Sequence, residues 1–270
     1  MIRYFKNFLK KIRFSLFKFP KYFFTKKPIK PKSFYYGLFN NEKKIRYPII
    51  DKFEQSMSFS IEKEWIDELA LHTQIVIKKS KLNYQHGRIL YSLLRNYIDK
   101  NNINYVSILE TGTSRGFSSL CLSKAINDSQ IKGKIITFDI IPHNQKMYWN
   151  IFKDNEGMYT REELLLKWKN ELDNIIFIEG WTNSQIEKTG LFRINFAFLD
   201  AQHEYENVMQ EFNYVNKRQN KNDIIMFDDV TKNRFDGVCK AVKEIESLRT
   251  YSVEYINSSD NRGYAVARKL

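Results

Sequence analysis

The stretch that decides the fold is Ile108-Leu109-Glu110-Thr111-Gly112-Thr113-Ser114-Arg115-Gly116-Phe117-Ser118. Its apolar start predicts a buried strand, and the pattern from Phe117 to Ile126 predicts a helix. Between them lie an acid and two glycines four positions apart, which permit a sharp turn and close approach of a ligand to the backbone and the helix N-terminus. The spacing Glu-x-Gly-x-x-x-Gly differs from the dinucleotide fingerprint, because Ser114 stands where another glycine is expected.

Strand and helix patterns alternate along the rest of the chain. Strands are predicted at Tyr105–Leu109, Lys134–Phe138, Asn174–Ile178, Asn195–Leu199, Asp223–Phe227, Ser252–Ile256 and Gly263–Ala267. Helices are predicted at Ser118–Ile126, Thr160–Glu171, Tyr205–Lys217 and Gly237–Leu248, with a capping box formed by Thr160 and Glu163. These patterns predict an α/β fold, a Rossmann-like seven-stranded sheet with helices on both faces and a C-terminal antiparallel hairpin.

The positive charge is concentrated at the N-terminus. The net charge is +13, but residues 1–41 hold eleven Lys or Arg and no acid, which leaves 33 basic and 31 acidic residues in the rest. A nearly neutral body argues against a nucleic-acid partner, which usually meets a basic face of the folded domain. The two cysteines argue against a disulfide framework and suit a reducing, cytoplasmic compartment.

Three regions follow one another along the chain. Residues 1–32 form a basic amphipathic segment and a proline-containing linker, in which residues 1–24 predict a helix with phenylalanines on one side. Such a helix suits the anionic inner face of a membrane, and the alternatives are packing on the body or on a second copy in a homo-oligomer. Residues 33–100 are a helical region with a break near residues 83–87, and residues 101–270 are the sheet domain.

Acidic residues follow three of the predicted strands. Asp139 ends the second strand, where an acid can accept both hydroxyls of a ribose, or can cap a helix. Asp200 follows the fourth strand, and Asp228 and Asp229 follow the fifth. If these strands are neighbours, the three carboxylates converge, and they then need a cation or raised pKa values. We predict a Mg²⁺-type ion held by Asp200, Asp228 and Asp229, against the alternative that the acids cap helices.

His203 is the histidine that the pattern places on this edge. His72 falls in a helical pattern, and His86 and His143 fall in predicted loops. A neutral imidazole beside a cation-bound hydroxyl suits a general base near neutral pH. A metal ligand or a helix cap is the competing interpretation of His203.

Together these segments resemble the class I S-adenosylmethionine-dependent methyltransferases, and among them the metal-dependent small-molecule O-methyltransferases. That group includes the catechol type and bacterial sugar and natural-product enzymes, some named for cephalosporin hydroxylase. The resemblance covers about Lys81 to Leu270. In the catechol type an Asp-Asn pair follows strand five and a lysine base lies three residues after the first Asp, whereas this chain has Asp228-Asp229 and His203 at those positions.

The resemblance implies S-adenosyl-L-methionine as cofactor, with the glycines under its methionine portion. Trp181 is expected to stack on its adenine, and a packing aromatic is the alternative for this residue. The implied cofactor-binding residues are Glu110, Gly112, Thr113, Ser114, Gly116, Ser118, Asp139, Trp181, Thr182 and Asp200. His203 and Asp200 are the implied catalytic residues.

We therefore expect an O-methyltransferase that acts on a hydroxyl of a sugar or glycoconjugate. The alternatives are a natural-product or catechol-type O-methyltransferase and a non-catalytic, membrane-recruited scaffold. The long segment from Ile140 to Asp173 contains several aromatic residues and is expected to face the acceptor or to be an additional packing helix.

Overall fold

The computed structural model describes residues 25–258 and 262–270. The predicted amphipathic helix within residues 1–24 lies outside the described residues. In the described part of the chain no helix is long and apolar enough to cross a membrane. Four helices of the described residues precede the sheet: α1 (Lys32–Glu42), α2 (Pro48–Met57), α3 (Lys63–Thr73) and α4 (Gln85–Lys100).

The seven strands form one sheet, as predicted. They are β1 (Tyr105–Thr111), β2 (Lys132–Asp139), β3 (Ile175–Glu179), β4 (Phe196–Leu199), β5 (Ile224–Phe227), β6 (Tyr251–Asn257) and β7 (Gly263–Lys269). Their order is β3-β2-β1-β4-β5-β7-β6. Strands β1 to β5 are parallel, and β7 is antiparallel to both β5 and β6. Strands β4 and β5 are neighbours, which is the arrangement on which the convergence of the three aspartates depends.

Helices connect the parallel strands: α5 (Phe117–Asp128), α6 (Arg161–Leu165), α7 (Lys169–Leu172), α8 (Thr182–Gln185), α9 (Tyr205–Asn216) and α10 (Asp236–Ser247). The capping box is confirmed, because the Thr160 hydroxyl accepts from the Glu163 amide at 3.1 Å and the Glu163 carboxylate accepts from the Thr160 amide at 2.9 Å. The single helix predicted after it is wrong, since a 3₁₀ turn at Leu166–Trp168 separates α6 from α7. Trp168 is buried at this break and packs edge-on against His72, so tertiary contact overrides the local helical pattern.

The sheet has an apolar cluster on each face. Neighbouring residues of a strand point to opposite faces, so Ile108 joins one cluster and Leu109 the other. Helices α2 to α5 pack into the cluster of Ile108, whereas α9 and α10 pack into that of Leu109. The N-terminal helices thus share a core with the sheet, and the domain boundaries proposed at residues 32 and 100 stay predictions.

Candidate functional site

The C-terminal ends of the parallel strands bring the predicted site residues to one edge of the sheet. The glycine loop follows β1, Asp139 ends β2, Asp200 follows β4, and Asp228-Asp229 follow β5. Main-chain hydrogen bonds join these ends: the Asp200 amide donates to the Thr111 carbonyl at 3.1 Å, and the Asp228 amide donates to the Leu199 carbonyl at 3.2 Å. Ligands of open α/β sheets bind at such an edge.

The two glycines of the loop are required by their backbone geometry. Gly112 has φ +88°, and a Cβ built on it would lie 2.1 Å from the Asp200 carbonyl oxygen. Gly116 has φ +86°, and its Cβ would meet the Leu165 side chain at 2.6 Å. The glycine at 112 therefore lets the end of β4 lie against the loop. Contact of either glycine with a cofactor stays a prediction.

Glu110 is fully buried beneath the loop. Its carboxylate accepts hydrogen bonds from the hydroxyls of Ser118, Ser119 and Thr137. Burial raises the pKa of Glu110, and these hydroxyl donors oppose the shift. The geometry gives Glu110 a positioning role, because its carboxylate ties β1 to β2 and to the first turn of α5.

Asp139 holds the same loop from the side of β2. Its Oδ2 accepts from the Ser114 amide at 2.5 Å and its Oδ1 from the Ile141 amide at 2.7 Å. Burial raises the pKa of Asp139, while the nearby Arg161 guanidinium and these amide donors lower it. A carboxylate has further lone pairs, so the predicted ribose contact is compatible with these bonds.

A cavity of about 260 Å³, which we call the rim cavity, lies between the loop and the acids. Its walls include Gly112, Thr113, Ser114, Ser118 and the three aspartates Asp200, Asp228 and Asp229. Trp181 and Thr182 follow β3 outside this lining, with Trp181 45% exposed and Thr182 buried. The rim cavity thus places the predicted methionine-binding loop beside the predicted metal ligands, and adenine stacking by Trp181 stays a prediction.

Three ligand atoms converge in the acidic cluster. One atom each from Asp200, His203 and Asp229 lies within 4.8 Å of the others. Asp229 adopts a left-handed conformation with φ 55°, a sparsely populated region for a non-glycine residue that clusters at functional sites. Asp228 stands slightly apart: its Oδ1 accepts from the Asp229 amide at 2.6 Å, and its Oδ2 lies 3.9 Å from Arg262 Nη1.

Burial and mutual repulsion disfavour the charged forms of the clustered acids. Burial, and then the charges of Asp228 and Asp229, raise the pKa of Asp200 well above its usual range. Burial and Asp229 raise the pKa of Asp228 to about 6, although Arg262 opposes this shift. His203 Nε2 lies 3.0 Å from Asp229 Oδ2 without hydrogen-bond alignment. Carboxylate oxygens and an imidazole nitrogen that face one point fit a divalent ion such as Mg²⁺ or Mn²⁺.

The structure adds residues that the sequence interpretation missed. His86, predicted in a loop, lies in the first turn of α4 and lines the rim cavity, so His203 is not the only histidine at this edge. Burial, followed by the charges of Arg262 and Lys78, lowers the pKa of His86 to about 3. Lys78, Arg115 and Arg262 line the same cavity. Lys78 and Arg262 come from segments far along the chain from the loop, so no local pattern marked them, whereas Arg115 lies within the loop and was given no role.

The aromatic segment between β2 and β3 packs inward. Trp149 is fully buried, and its indole Nε1 donates to the Tyr159 carbonyl at 2.8 Å. Its carbonyl accepts from Arg115 Nε at 2.6 Å. Trp149 and Trp168 are both buried in the core, so these two rings pack inside the protein and present no open face to an acceptor. For them the alternative of an additional packing segment applies.

A second cavity of about 690 Å³, which we call the outer cavity, meets the rim cavity at Arg262. Hydrogen-bonding side chains dominate its walls, and Val230 is the one branched aliphatic residue among the described residues that line it. Its polar lining includes Thr231, Asn233, Asn257 and Ser258. The outer cavity therefore offers space next to the acidic cluster for a polar molecule.

Comparison with known proteins agrees with this geometry. Residues 109–230 match a family model described as a methyltransferase domain. No curated protein sequence matches the chain significantly. The matched residues 109–230 and the order of the seven-stranded sheet together give the chain the fold of a class I S-adenosylmethionine-dependent methyltransferase.

Solved structures share the fold at low sequence identity. The cofactor-bound Rv0187 from MTB is 16% identical with a TM-score of 0.52, over 76% of this chain and 85% of that chain. The O-methyltransferase TomG from Streptomyces achromogenes, involved in tomaymycin synthesis and solved with S-adenosylmethionine, is 16% identical with a TM-score of 0.54, over 78% and 92%. An O-methyltransferase from Bacillus cereus solved with S-adenosylhomocysteine is 16% identical with a TM-score of 0.50, over 84% and 93%.

Proposed function

We propose that this methyltransferase transfers its methyl group to a hydroxyl oxygen of a sugar or glycoconjugate with the help of a divalent cation. The observation that carries the proposal is the convergence of Asp200, His203 and Asp229 beside the glycine loop. The names of the two structural neighbours solved as O-methyltransferases support an oxygen acceptor.

The cofactor supplies an electrophilic methyl group on its sulfonium. In the proposal, the loop from Gly112 to Ser114 and Ser118 hold its methionine portion, and Asp139 holds its ribose. Trp181 and Thr182 cover its adenine. Methyl transfer depends mainly on alignment of the nucleophile, so the fixed distance between this loop and the acids is the main contribution of the fold.

The acids and His203 prepare the acceptor. Asp200, Asp228 and Asp229 are the proposed ligands of a cation that lowers the pKa of a neighbouring hydroxyl. His203 Nε2 accepts the hydroxyl proton, and the Asp229 carboxylate 3.0 Å away stabilises the resulting imidazolium. In the alternative assignment, which the convergence of Asp200, His203 and Asp229 favours, His203 Nε2 is a third ligand and Asp228 stays with Arg262.

The polar walls of the outer cavity support a sugar acceptor over a catechol-type one. A flat aromatic ring needs apolar walls, whereas Thr231, Asn233 and Asn257 offer hydrogen bonds to several hydroxyls. The complete set of acids at the strand ends argues against the alternative of a non-catalytic scaffold.

We propose further that residues 1–24 attach the enzyme to an anionic membrane surface and leave the catalytic domain on the cytoplasmic side. The concentration of basic residues and phenylalanines in this segment supports the proposal. Use of the segment in a homo-oligomer is the alternative, and no nucleic-acid partner is expected.

The test combines cofactor binding, metal dependence and a screen of acceptors. Calorimetry measures S-adenosylmethionine binding, and release of S-adenosylhomocysteine measures transfer to a panel of sugars, sugar phosphates and catechols. We expect chelation to abolish transfer to the sugar class and Mg²⁺ or Mn²⁺ to restore it. Full activity in excess chelator would remove the metal from the proposal, and transfer to catechols alone would remove the sugar.

Asp229→Asn and His203→Ala separate the two assignments of His203. As a base, His203→Ala lowers kcat by on the order of 10²–10⁴ with metal affinity unchanged, and the pH–rate profile loses its limb near neutrality. If His203 is a metal ligand, His203→Ala and Asp229→Asn both lower metal affinity, and the pH–rate profile keeps its limb near neutrality. Asp173→Asn, at an exposed position before β3, is the matched control.

A further inference from the structure

Among the residues that the structure describes, the charged side chains that line the outer cavity have one sign. Lys81, Lys232, Arg234 and Arg262 contribute to its walls, and no carboxylate of the described residues does so. Lys81, Lys232 and Arg234 are exposed, and none has a carboxylate partner within salt-bridge distance in residues 25–258 and 262–270. A concave surface that collects one sign of charge concentrates ligands of the opposite sign.

The wall that carries Lys232 and Arg234 is held in place by β7. The Val230 amide donates to the Gly263 carbonyl at 2.9 Å, and the Gly263 amide donates to the Thr231 hydroxyl at 3.1 Å. A Cβ on Gly263 would lie 2.0 Å from the Val230 carbonyl oxygen, so the two segments are in direct contact. This wall begins immediately after Asp229, so its cations belong to the segment that directly follows the acidic cluster.

Arg262 connects the outer cavity with the rim cavity. Its side chain is 15% exposed, and its Nη1 lies 3.9 Å from Asp228 Oδ2. Arg262 therefore lines both cavities while keeping an acidic neighbour. The positive field extends inward, because the charge of Arg262 adds to burial in lowering the pKa of Lys78 to about 8. Lys81 lines both the outer cavity and a neighbouring groove, and Lys78 lines the same groove.

We infer that the acceptor carries a phosphoryl group, and that the outer cavity binds it through Lys81, Lys232, Arg234 and Arg262. The inference rests on the proposed function and extends it from a sugar to a phosphorylated sugar. Four cations match a group of charge close to −2 better than a single carboxylate, and guanidinium groups bind phosphate with two parallel hydrogen bonds. A phosphoryl group held here leaves the sugar hydroxyls directed toward Asp200 and Asp229.

Calorimetry on the full-length protein tests the site with four probes: inorganic pyrophosphate, glucose 1-phosphate, glucose and glucuronic acid. The test variant is Lys232→Gln/Arg234→Gln, which removes two exposed cations outside the acidic cluster. The matched control is Lys221→Gln/Lys243→Gln, which removes the same charge from exposed positions away from the cavity. S-adenosylmethionine is titrated into every protein as a measure of the cofactor site.

We expect pyrophosphate and glucose 1-phosphate to bind the wild type, with Kd raised at least ~10-fold in the test variant and less than about twofold in the control. Added salt should weaken this binding. Absence of pyrophosphate binding, an unchanged Kd in the test variant, or tighter binding of glucuronic acid than of glucose 1-phosphate would overturn the phosphoryl assignment. Failure of S-adenosylmethionine to bind the wild type would instead overturn the proposed function.

Discussion

At the scale of single residues, Asp139 illustrates how one carboxylate serves both the fold and the proposed cofactor site. Its two oxygens accept from the amides of Ser114 and Ile141, so it fixes the loop whose backbone lines the rim cavity. A direct ribose contact would add a third hydrogen bond to the same group. Loss of the side chain therefore removes the contact and loosens the loop.

Asp139→Ala is expected to weaken S-adenosylmethionine binding by about 1–3 kcal/mol, the usual worth of a charge-assisted hydrogen bond. Calorimetry measures the change, and the free energy of unfolding is measured alongside it. Asp99→Ala, at an exposed position near the end of α4, is the control and should bind the cofactor as the wild type does. Wild-type affinity in Asp139→Ala would remove this residue from the cofactor site.

Glu211 is a buried acid outside the cavities. It lies on α9, its Oε2 accepts from the Thr111 hydroxyl at 2.9 Å, and its Oε1 has no hydrogen-bond partner among the described residues. Burial raises the pKa of Glu211 to about 8. The folded protein therefore keeps a proton that the unfolded chain releases above about pH 4.5.

Because the folded state binds more protons than the unfolded state between about pH 4.5 and about pH 8, this group makes the free energy of unfolding fall as the pH rises. Glu211→Gln removes that dependence. Relative to wild type, the variant should gain on the order of 4 kcal/mol from about pH 5 to about pH 9. Urea unfolding at several pH values measures the slope. Glu206→Gln, exposed on the same helix, should leave the pH dependence of the free energy of unfolding unchanged. If Glu211→Gln showed the same pH dependence as the wild type, Glu211 would be ionised in the fold.

At the scale of elements, the contact between the β1 loop and the end of β4 sets the distance from the proposed cofactor loop to the acids. Gly112 makes this contact possible, since any Cβ would overlap the Asp200 carbonyl. The side chain of Asp200 lines the rim cavity, so a shift of its backbone moves a proposed metal ligand.

Gly112→Ala should lower the free energy of unfolding by about 2–5 kcal/mol, from left-handed strain and overpacking together. It should also weaken cofactor and metal binding in the molecules that remain folded. Gly190→Ala separates the two causes, because Gly190 has φ +61° and a Cβ at this position would meet no atom of the other described residues within 4 Å. Gly190→Ala should lower the free energy of unfolding by about 1–2 kcal/mol and leave the binding of cofactor and metal unchanged. Equal losses in the two variants would mean that the contact with β4 contributes nothing.

At the scale of the whole molecule, the N-terminal helices complete the layer on one face of the sheet. The predicted proline-containing linker is anchored to this layer at its end: the Lys30 carbonyl accepts from Asn155 Nδ2 at 3.0 Å, and Lys32 pairs with Glu156. The proposed membrane segment, residues 1–24, therefore joins the body beside the connection between β2 and β3. A deletion that tests it should stop at residue 24, so that these contacts remain.

Deletion of residues 2–24 should leave cofactor binding unchanged and abolish sedimentation with anionic vesicles. The segment supplies roughly 1 kcal/mol per basic residue near an anionic surface, together with shallow burial of its phenylalanines. Vesicles of neutral lipid and high salt serve as controls, and both should release the full-length protein. Aggregation of the deleted protein, or failure of the full-length protein to sediment, would place the segment on the body or at a contact between copies.

The sequence by itself determined the class of fold and the edge at which the site lies. Alternation of apolar runs with amphipathic helices predicted the seven strands, and the parallel direction of the first five sends Asp139, Asp200 and Asp228 to one edge. These features are local, because strand and helix periodicity and the residue that follows a strand can be identified from near neighbours alone.

Only the tertiary structure decided which groups meet at that edge. It placed His203 against Asp229 and drew Asp228 toward Arg262. It also buried His86 in the wall of the rim cavity, and it turned Trp149 and Trp168 into the core, where they present no open face to an acceptor. These outcomes depend on the direction of side chains and on the packing of segments far apart in the chain, and no spacing along the sequence specifies either.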